Sequence, residues 1–235
     1  MEYVQDMKHM SKIEVLYEDN HIIVVVKPPN VLSQADSTKD IDMLTIVKEY
    51  IKEKYNKKGN VYLGLVHRLD RPVGGVMIFA RSSKAASRMT EMIKNHEFTK
   101  KYLAVVRGTL KEKEGFFEDY LLKEENGNTI VTTKEKGKYS KLNYKVLKES
   151  KKDNLSVVEI ELLTGRHHQI RVQFASRGIC LYGDQRYGVQ DNKQIALWAY
   201  SLTIIHPTLK KEMTFIKYPN NSSDGWNFFD LQFMK

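Results

Sequence analysis

One cysteine, Cys180, stands in a chain of 235 residues, so no disulfide can form within it and a reducing compartment fits. It lies in an apolar Ile179-Cys180-Leu181 run, where a buried structural thiol is expected rather than a nucleophile. Long hydrophobic runs are missing too: the longest, residues 22–26, is the length of a strand and far short of a bilayer span. Residues 1–12 mix acidic and basic side chains without the apolar stretch of a signal peptide. These absences set the expectation of a soluble, cytoplasmic protein with no membrane partner. No internal repeat, low-complexity block or linker divides the chain, so one domain over residues 1–235, with at most two closely joined lobes, is expected. Negative charge is in short supply, with 29 Asp+Glu against 38 Lys+Arg and a net charge of +9. Such a surplus favours a polyanionic partner, because each phosphate contacted releases counterions.

What is present is enough for a core, since 41% of the residues are hydrophobic. Residues 13–17 and 22–26 read as a hairpin of strands around Glu18-Asp19-Asn20, and Lys27-Pro28-Pro29 breaks the second. Leu44, Val47, Tyr50, Ile51 and Tyr55 recur at helical spacing. Ser82-Ser83 offers a cap for a second helix, whose stripe is Ala86, Met89, Ile93 and His96. Residues 100–108 form a further strand, with Tyr102 directly after two lysines. From 110 to 150 the chain is lysine-rich and interrupted, with short strand-like pieces at 116–122, 129–133 and 142–147 and a basic loop at 134–138. Strands at 157–163, 195–203 and 213–217 follow, and Trp226, Phe228, Phe229 and Phe233 are expected to dock on the body. Strands outnumber helices and are often adjacent, which predicts an α+β fold with a mixed sheet and flanking helices.

The chemistry concentrates at His67-Arg68-Leu69-Asp70-Arg71-Pro72, between an apolar pair, Leu65-Val66, and the strand-like run 76–80. On an extended chain Arg68 and Asp70 share one face while Leu69 and Arg71 share the other. The glycine pair Gly74-Gly75 can supply a sharp turn. A carboxylate between two guanidiniums stays ionised at neutral pH, the state a nucleophile or general base needs. A surface turn with two solvated ion pairs is the competing explanation of this stretch alone. Thr164-Gly165-Arg166-His167-His168-Gln169-Ile170-Arg171 opens a short helix ended by Gly178, on which His167 and Arg171, four apart, share a face near His168 and Gln169. A metal held by His67, His167 and His168 is disfavoured, because adjacent helical histidines diverge by about a quarter turn or more.

His67-Arg68-Leu69-Asp70-Arg71, Lys101-Tyr102-Leu103-Ala104, Gly165 through Arg171, and Gly183-Asp184 with Tyr187-Gly188 stand in the order and separations of one family. Over residues 15–213 the chain resembles the RluA-type pseudouridine synthases. The resemblance implies a curved, mostly antiparallel sheet in two halves around an RNA cleft, and catalysis without cofactor or metal. It implies that Asp70 matches the catalytic aspartate, Tyr102 the tyrosine that packs on the target base, and Arg171 the basic residue paired with that aspartate. Arg68 resembles the arginine that contacts the flipped nucleotide, and His67, Arg71, Arg166, His168 and Gln169 fall to orienting the site or binding phosphate. Three positions depart from the family pattern: Pro72-Val73-Gly74-Gly75 after the aspartate motif, Gln173 where a histidine is usual, and Trp198 in the late strand. With the catalytic fold expected to open near residue 14, the amino-terminal α-L RNA-binding domain of many relatives is not expected, and substrate choice is expected to rest on the catalytic domain, with region 110–150 the candidate. The expected partner is ribosomal RNA first and transfer RNA second, acted on by a monomer. The rival from another class is a non-catalytic RNA-binding or ribosome-assembly factor on the same fold.

Overall fold

A computed structural model of the chain describes residues 13–231; Phe233 lies outside them. The chain forms two compact units, the first from residues up to 98 with 201–217, the second from 99–200 with the residues after 217.

The first unit is built on two strands without polar interruption. β1 (Val15–Glu18) and β2 (Ile22–Lys27) form the expected hairpin, and β2 pairs antiparallel with β4 (Gly74–Ala80), which also carries the short β3 (Gly64–Leu65). Because side chains alternate along a strand, Ile22, Val24, Val76 and Ile78 feed one face while Ile23, Val25, Met77 and Phe79 feed the other. Each face has its own helix. α1 (Met43–Lys54), capped by Asp42, covers the second face with Met43, Val47 and Ile51. α2 (Ser83–Lys94), capped by the Ser82 side chain, covers the first with Ala85, Met89 and Met92. Burial on both faces explains why β2 and β4 read as continuous apolar runs. The late strands β10 (Leu197–Ile205) and β11 (Glu212–Ile216) pair through 201–216 and add Leu202, Ile204 and Phe215 to the α2 side.

In the second unit β5 (Thr99–Arg107) pairs with β9 (Leu155–Leu162), β9 with β8 (Lys138–Ser150), β8 with β6 (Glu114–Lys123), and β6 with β7 (Thr129–Thr132), all antiparallel. One face carries Leu103, Val105, Leu155 and Val157 under Tyr200, Trp226, Phe229 and Leu231. The opposite face receives α3 (Gln169–Ala175), whose Phe174 ring lies 5.0 Å from Phe117 and 6.3 Å from Tyr144. Among the described residues, three α-helices on largely antiparallel strands give an α+β fold.

Several local expectations are corrected. The lysine-rich region has its short strand at β7 and its basic loop, but the other two pieces are longer than expected: β6 runs 10 residues and β8 runs 13, with Ser140 and Leu142 turned inward. Gly74-Gly75 do not turn but begin β4, and Gly75 sits at φ 127 opposite Lys27. A glycine there meets a backbone angle that side chains avoid. His96 lies beyond α2 at φ 59 and is exposed, so the buried stripe closes on Met92. Trp226 and Phe229 are buried as expected, but Phe228 is 41% exposed and only edges against Tyr182.

Candidate active site

In the first unit Asp70 sits on a segment held by its main chain. Residues 66–70 leave the strand pairing, and the chain turns where the Val73 amide donates to the Asp70 carbonyl at 3.0 Å. Buried Ser33 clamps the preceding residue twice: its hydroxyl donates to the Leu69 carbonyl at 2.7 Å and accepts from the Leu69 amide at 3.1 Å. Lys27, with no exposed surface, secures the following residues. Its ammonium donates to the carbonyls of Pro28 (3.0 Å), Arg71 (3.0 Å) and Val73 (2.8 Å), one for each N–H it owns. Burial draws the Lys27 pKa down from 10.5 to about 7, opposed by attraction to the Asp70 carboxylate and aided by Arg71.

Lys27, which the sequence presented only as the end of a strand, is thus a cation within electrostatic reach of Asp70. Arg68 is exposed, and the Arg71 guanidinium ion-pairs with Asp40 at 2.7 Å on the surface. The two-face alternation holds only for Leu69, which is buried, while the arginines on either side of Leu69-Asp70 both reach outward. His67 turns back on β4, its Nε2 accepting from the Ile78 amide at 3.1 Å.

In the second unit Tyr102 is 7% exposed and stands opposite Ile160 on β9, which in turn stands opposite Tyr144 on β8. Directly paired residues share a face, so Tyr102 lies on the side of the sheet that carries α3. Arg171, in the first turns of α3, is 5% exposed, and its Nε and Nη2 donate to the two carboxylate oxygens of Asp184 at 2.8 and 2.7 Å. This is a bidentate pair between buried partners, the geometry in which arginine differs most from lysine. Asp184 also shapes the following turn, its Oδ1 accepting from the Arg186 and Tyr187 amides at 3.0 and 3.1 Å. The turn brings the Tyr187 ring to 5.1 Å from the Arg171 guanidinium.

From Tyr187 the bonding continues to the start of α3. The Tyr187 hydroxyl accepts from the Thr129 amide at 2.9 Å and lies 2.7 Å from His168 Nδ1. Burial, then the charge of Arg171, drives the His168 pKa from 6.5 to about 2, so the imidazole stays neutral and Nδ1 can accept from the phenol. His168 occupies the N-cap of α3 in the left-handed conformation, φ 51. The helix thus begins at Gln169, and His167 is not on it, against the i, i+4 pairing with Arg171 expected from sequence. His167 instead stacks on His168, ring centroids 3.7 Å apart, with Nδ1 at 2.8 Å from the Thr129 hydroxyl.

Gln169 is buried and serves its own loop, accepting from Thr164 Oγ1 and the Arg166 amide and donating to the Lys141 carbonyl. Arg166 is exposed and donates through Nε to the Tyr139 carbonyl at 2.8 Å. Gln173 donates to Asp119, which also receives Arg177. Residues to which the sequence assigned no role are Lys27, Ser33 and Thr129, with Asp184 and Tyr187, which it named only within a family motif. Two carried a signal: a lysine closing an apolar run before two prolines, and an aspartate in a glycine-punctuated loop.

A family model described as RNA pseudouridylate synthase matches residues 21–176. The dual-specificity RNA pseudouridine synthase RluA of Escherichia coli is 32% identical over 209 residues, covering 86% of this chain and 90% of the relative. An uncharacterized RNA pseudouridine synthase of Bacillus subtilis, YhcT, is 30% identical over 201 residues, covering 84% of this chain and 65% of the relative. Ribosomal large subunit pseudouridine synthase C of Haemophilus influenzae is 30% identical over 216 residues, covering 85% and 65%. The chain spans just under two thirds of the length of these last two. Among solved structures, human RNA pseudouridylate synthase domain containing 4 superposes with a TM-score of 0.77 at 18% identity, covering 93% of this chain and 94% of that one. At that identity the likeness is one of fold.

Proposed function

Because this chain belongs to the RNA pseudouridylate synthase family, and within it to the RluA type, we propose that it isomerises uridine to pseudouridine in a structured RNA. The observation that carries the reading is the reach of the family match: residues 21–176 contain Asp70, Tyr102 and Arg171 together with the anchor Lys27. Ribosomal RNA is the first candidate substrate and transfer RNA the second, a choice supported by the names of the relatives.

The reaction breaks the bond from ribose C1′ to uracil N1, turns the base and joins C1′ to C5, and the proton lost from C5 is matched by one gained at N1. Asp70 acts on the sugar as the carboxylate. It removes a proton from the ribose as the glycosidic bond opens, giving a glycal-like intermediate, and returns it once C5 is in place. Tyr102 is the flat face against which the detached uracil turns, and its shelter from water suits a step in which the base must not escape. Arg171 supplies the basic residue of the site, with its plane fixed by Asp184. Since the target bond is hidden in stacked RNA, the nucleotide is flipped out, at a cost of a few kcal/mol. Arg68 is exposed on the Asp70 segment and suited to that flipped nucleotide, while His67, Arg71, Arg166, His168 and Gln169 orient the surrounding loops or meet phosphate.

The test is a map of pseudouridines in ribosomal and transfer RNA from cells with and without the gene, repeated with Asp70→Asn. At least one uridine should lose its modification in the deletion, and Asp70→Asn should not restore it while still binding RNA. An unchanged map, or full restoration by Asp70→Asn, would leave the non-catalytic RNA-binding factor as the better account.

A further inference from the structure

Two lysines open β5 and meet opposite fates. Lys101 turns to the Glu159 side of the sheet, its Nζ 3.6 Å from Oε1. Lys100, one residue earlier, stands opposite Leu162 and shares its face with Tyr102, toward α3. It is half-buried, and burial lowers its pKa with no carboxylate acting to restore it. Among the described residues it forms no ion pair. Its amine lies against the loop that leads into α3: a methyl group on Gly165 would sit 3.6 Å from Nζ.

A partly desolvated ammonium without a counter-ion is unfavourable unless an anion comes to it. Lys100 and Tyr102 are two residues apart on a strand, about 6.6 Å along its axis. That is comparable with the reach from a pyrimidine, across its ribose, to its own phosphate. We infer that Lys100, lying against Gly165 in the loop that leads into α3, binds a backbone phosphate of the RNA next to the base that packs on Tyr102. The inference rests on the family reading above and adds a phosphate site to it. Lys100 is a binding residue here, not a proton carrier.

The probe is a short oligoribonucleotide carrying the uridine in which the wild-type protein forms pseudouridine, with binding measured in the Asp70→Asn background to prevent turnover. Lys100→Met should weaken binding roughly tenfold and reduce the slope of log K against log salt by about 0.7, the share of one single-strand phosphate. Lys100→Arg should restore most of both, since a guanidinium also binds phosphate. A neutral methylphosphonate at one linkage beside the target should weaken binding to the Lys100 protein and cost nothing further with Lys100→Met. In otherwise wild-type protein the Lys100→Met loss should fall on KM rather than kcat. Unchanged affinity and salt slope overturn the proposal. So does a kcat loss that Lys100→Arg fails to recover, which would assign Lys100 to proton transfer. If Lys100→Met fails to fold, Lys100→Gln and the methylphosphonate series on unsubstituted protein decide it. A wild type that forms pseudouridine while Lys100→Met binds normally defeats the phosphate site alone; a wild type that forms none in any RNA defeats the family reading and this proposal with it.

Discussion

Asp70 and Arg171 are both charged residues out of full contact with water, and they are fixed by opposite means. Around Asp70 the anchors grip the main chain: Ser33 holds Leu69, Lys27 holds the carbonyls of Arg71 and Val73, and the Val73 amide closes the turn. Arg171 is gripped by its own guanidinium, through a buried carboxylate that also folds the loop after it. A side chain carried on an anchored backbone can be exchanged without disturbing the fold around it. One that is itself the anchor cannot be, so the two residues should separate activity from stability.

The largest effects test that separation directly. Asp70→Asn should lower kcat by roughly a thousandfold or more while shifting the unfolding free energy by about 1 kcal/mol or less. Arg171→Met should cost about 3–5 kcal/mol of stability, because it strands the Asp184 carboxylate in the interior. Denaturant titration of the two variants beside wild type reads both numbers, and equal destabilisation would break the distinction. Adding Asp184→Asn to Arg171→Met should recover about 1–3 kcal/mol, since the amide oxygen can still accept from Arg186 and Tyr187 without carrying charge. Strict additivity of the two changes would mean that the pair is not coupled.

Lys27→Met comes next, because it leaves carbonyls of Pro28, Arg71 and Val73 without their donor. A loss of about 2–4 kcal/mol is expected, together with a fall in kcat as the Asp70 turn loosens. The difference from wild type should depend on pH with a definite sign. The folded pKa lies near 7 against 10.5 for an unperturbed lysine, so between those values the unfolded chain binds the extra proton. Wild type should gain on Lys27→Met as pH rises through that window, by up to about 1 kcal/mol per unit, and the gain should vanish as pH falls below about 7. Parallel stability curves for the two proteins from pH 7 to 10 would show that the amine titrates alike in both states.

The same contrast explains what could be read in the sequence. β2 and β4 were legible because burial on both faces leaves continuous apolar runs, and the order of motifs around Asp70, Tyr102 and Arg171 pointed to the family before any coordinates. The anchors were not legible. Lysine is an exposed residue by default, so Lys27 read as the end of a strand, and only its burial and the carbonyls of Arg71 and Val73, more than forty residues away, reveal it as an interior donor. Gly74-Gly75, which local preference assigns to a turn, are drawn into β4 by the pairing of Gly75 with Lys27. Asp184 lies 13 residues from Arg171, and nothing in a glycine-punctuated loop states which guanidinium it will meet. The helix boundary failed for a related reason. A left-handed His168 is held by Tyr187, a tertiary contact, so periodicity placed His167 on a helix that starts two residues later.

The finest test compares two hydroxyls, each joined to two partners. Ser33 satisfies the amide and the carbonyl of Leu69 in the first unit, and Tyr187 meets the Thr129 amide and His168 in the second. Removing either oxygen, by Ser33→Ala or Tyr187→Phe, should cost a similar amount, about 1–2 kcal/mol, since each leaves sheltered polar groups unsatisfied. Their effects on turnover should differ. Ser33 holds the residue bonded to Asp70, so its loss lets the carboxylate wander and should lower kcat several-fold with little change in KM. Tyr187 supports Arg171 only through its ring and the loop, while the bidentate bond to Asp184 survives the change, so kcat should fall by less than about twofold. Matched stability losses with kcat falling equally in both variants would mean that the hydroxyl on the Arg171 side matters as much to turnover as the one beside Asp70, and the division between main-chain and side-chain anchoring would lose its functional meaning.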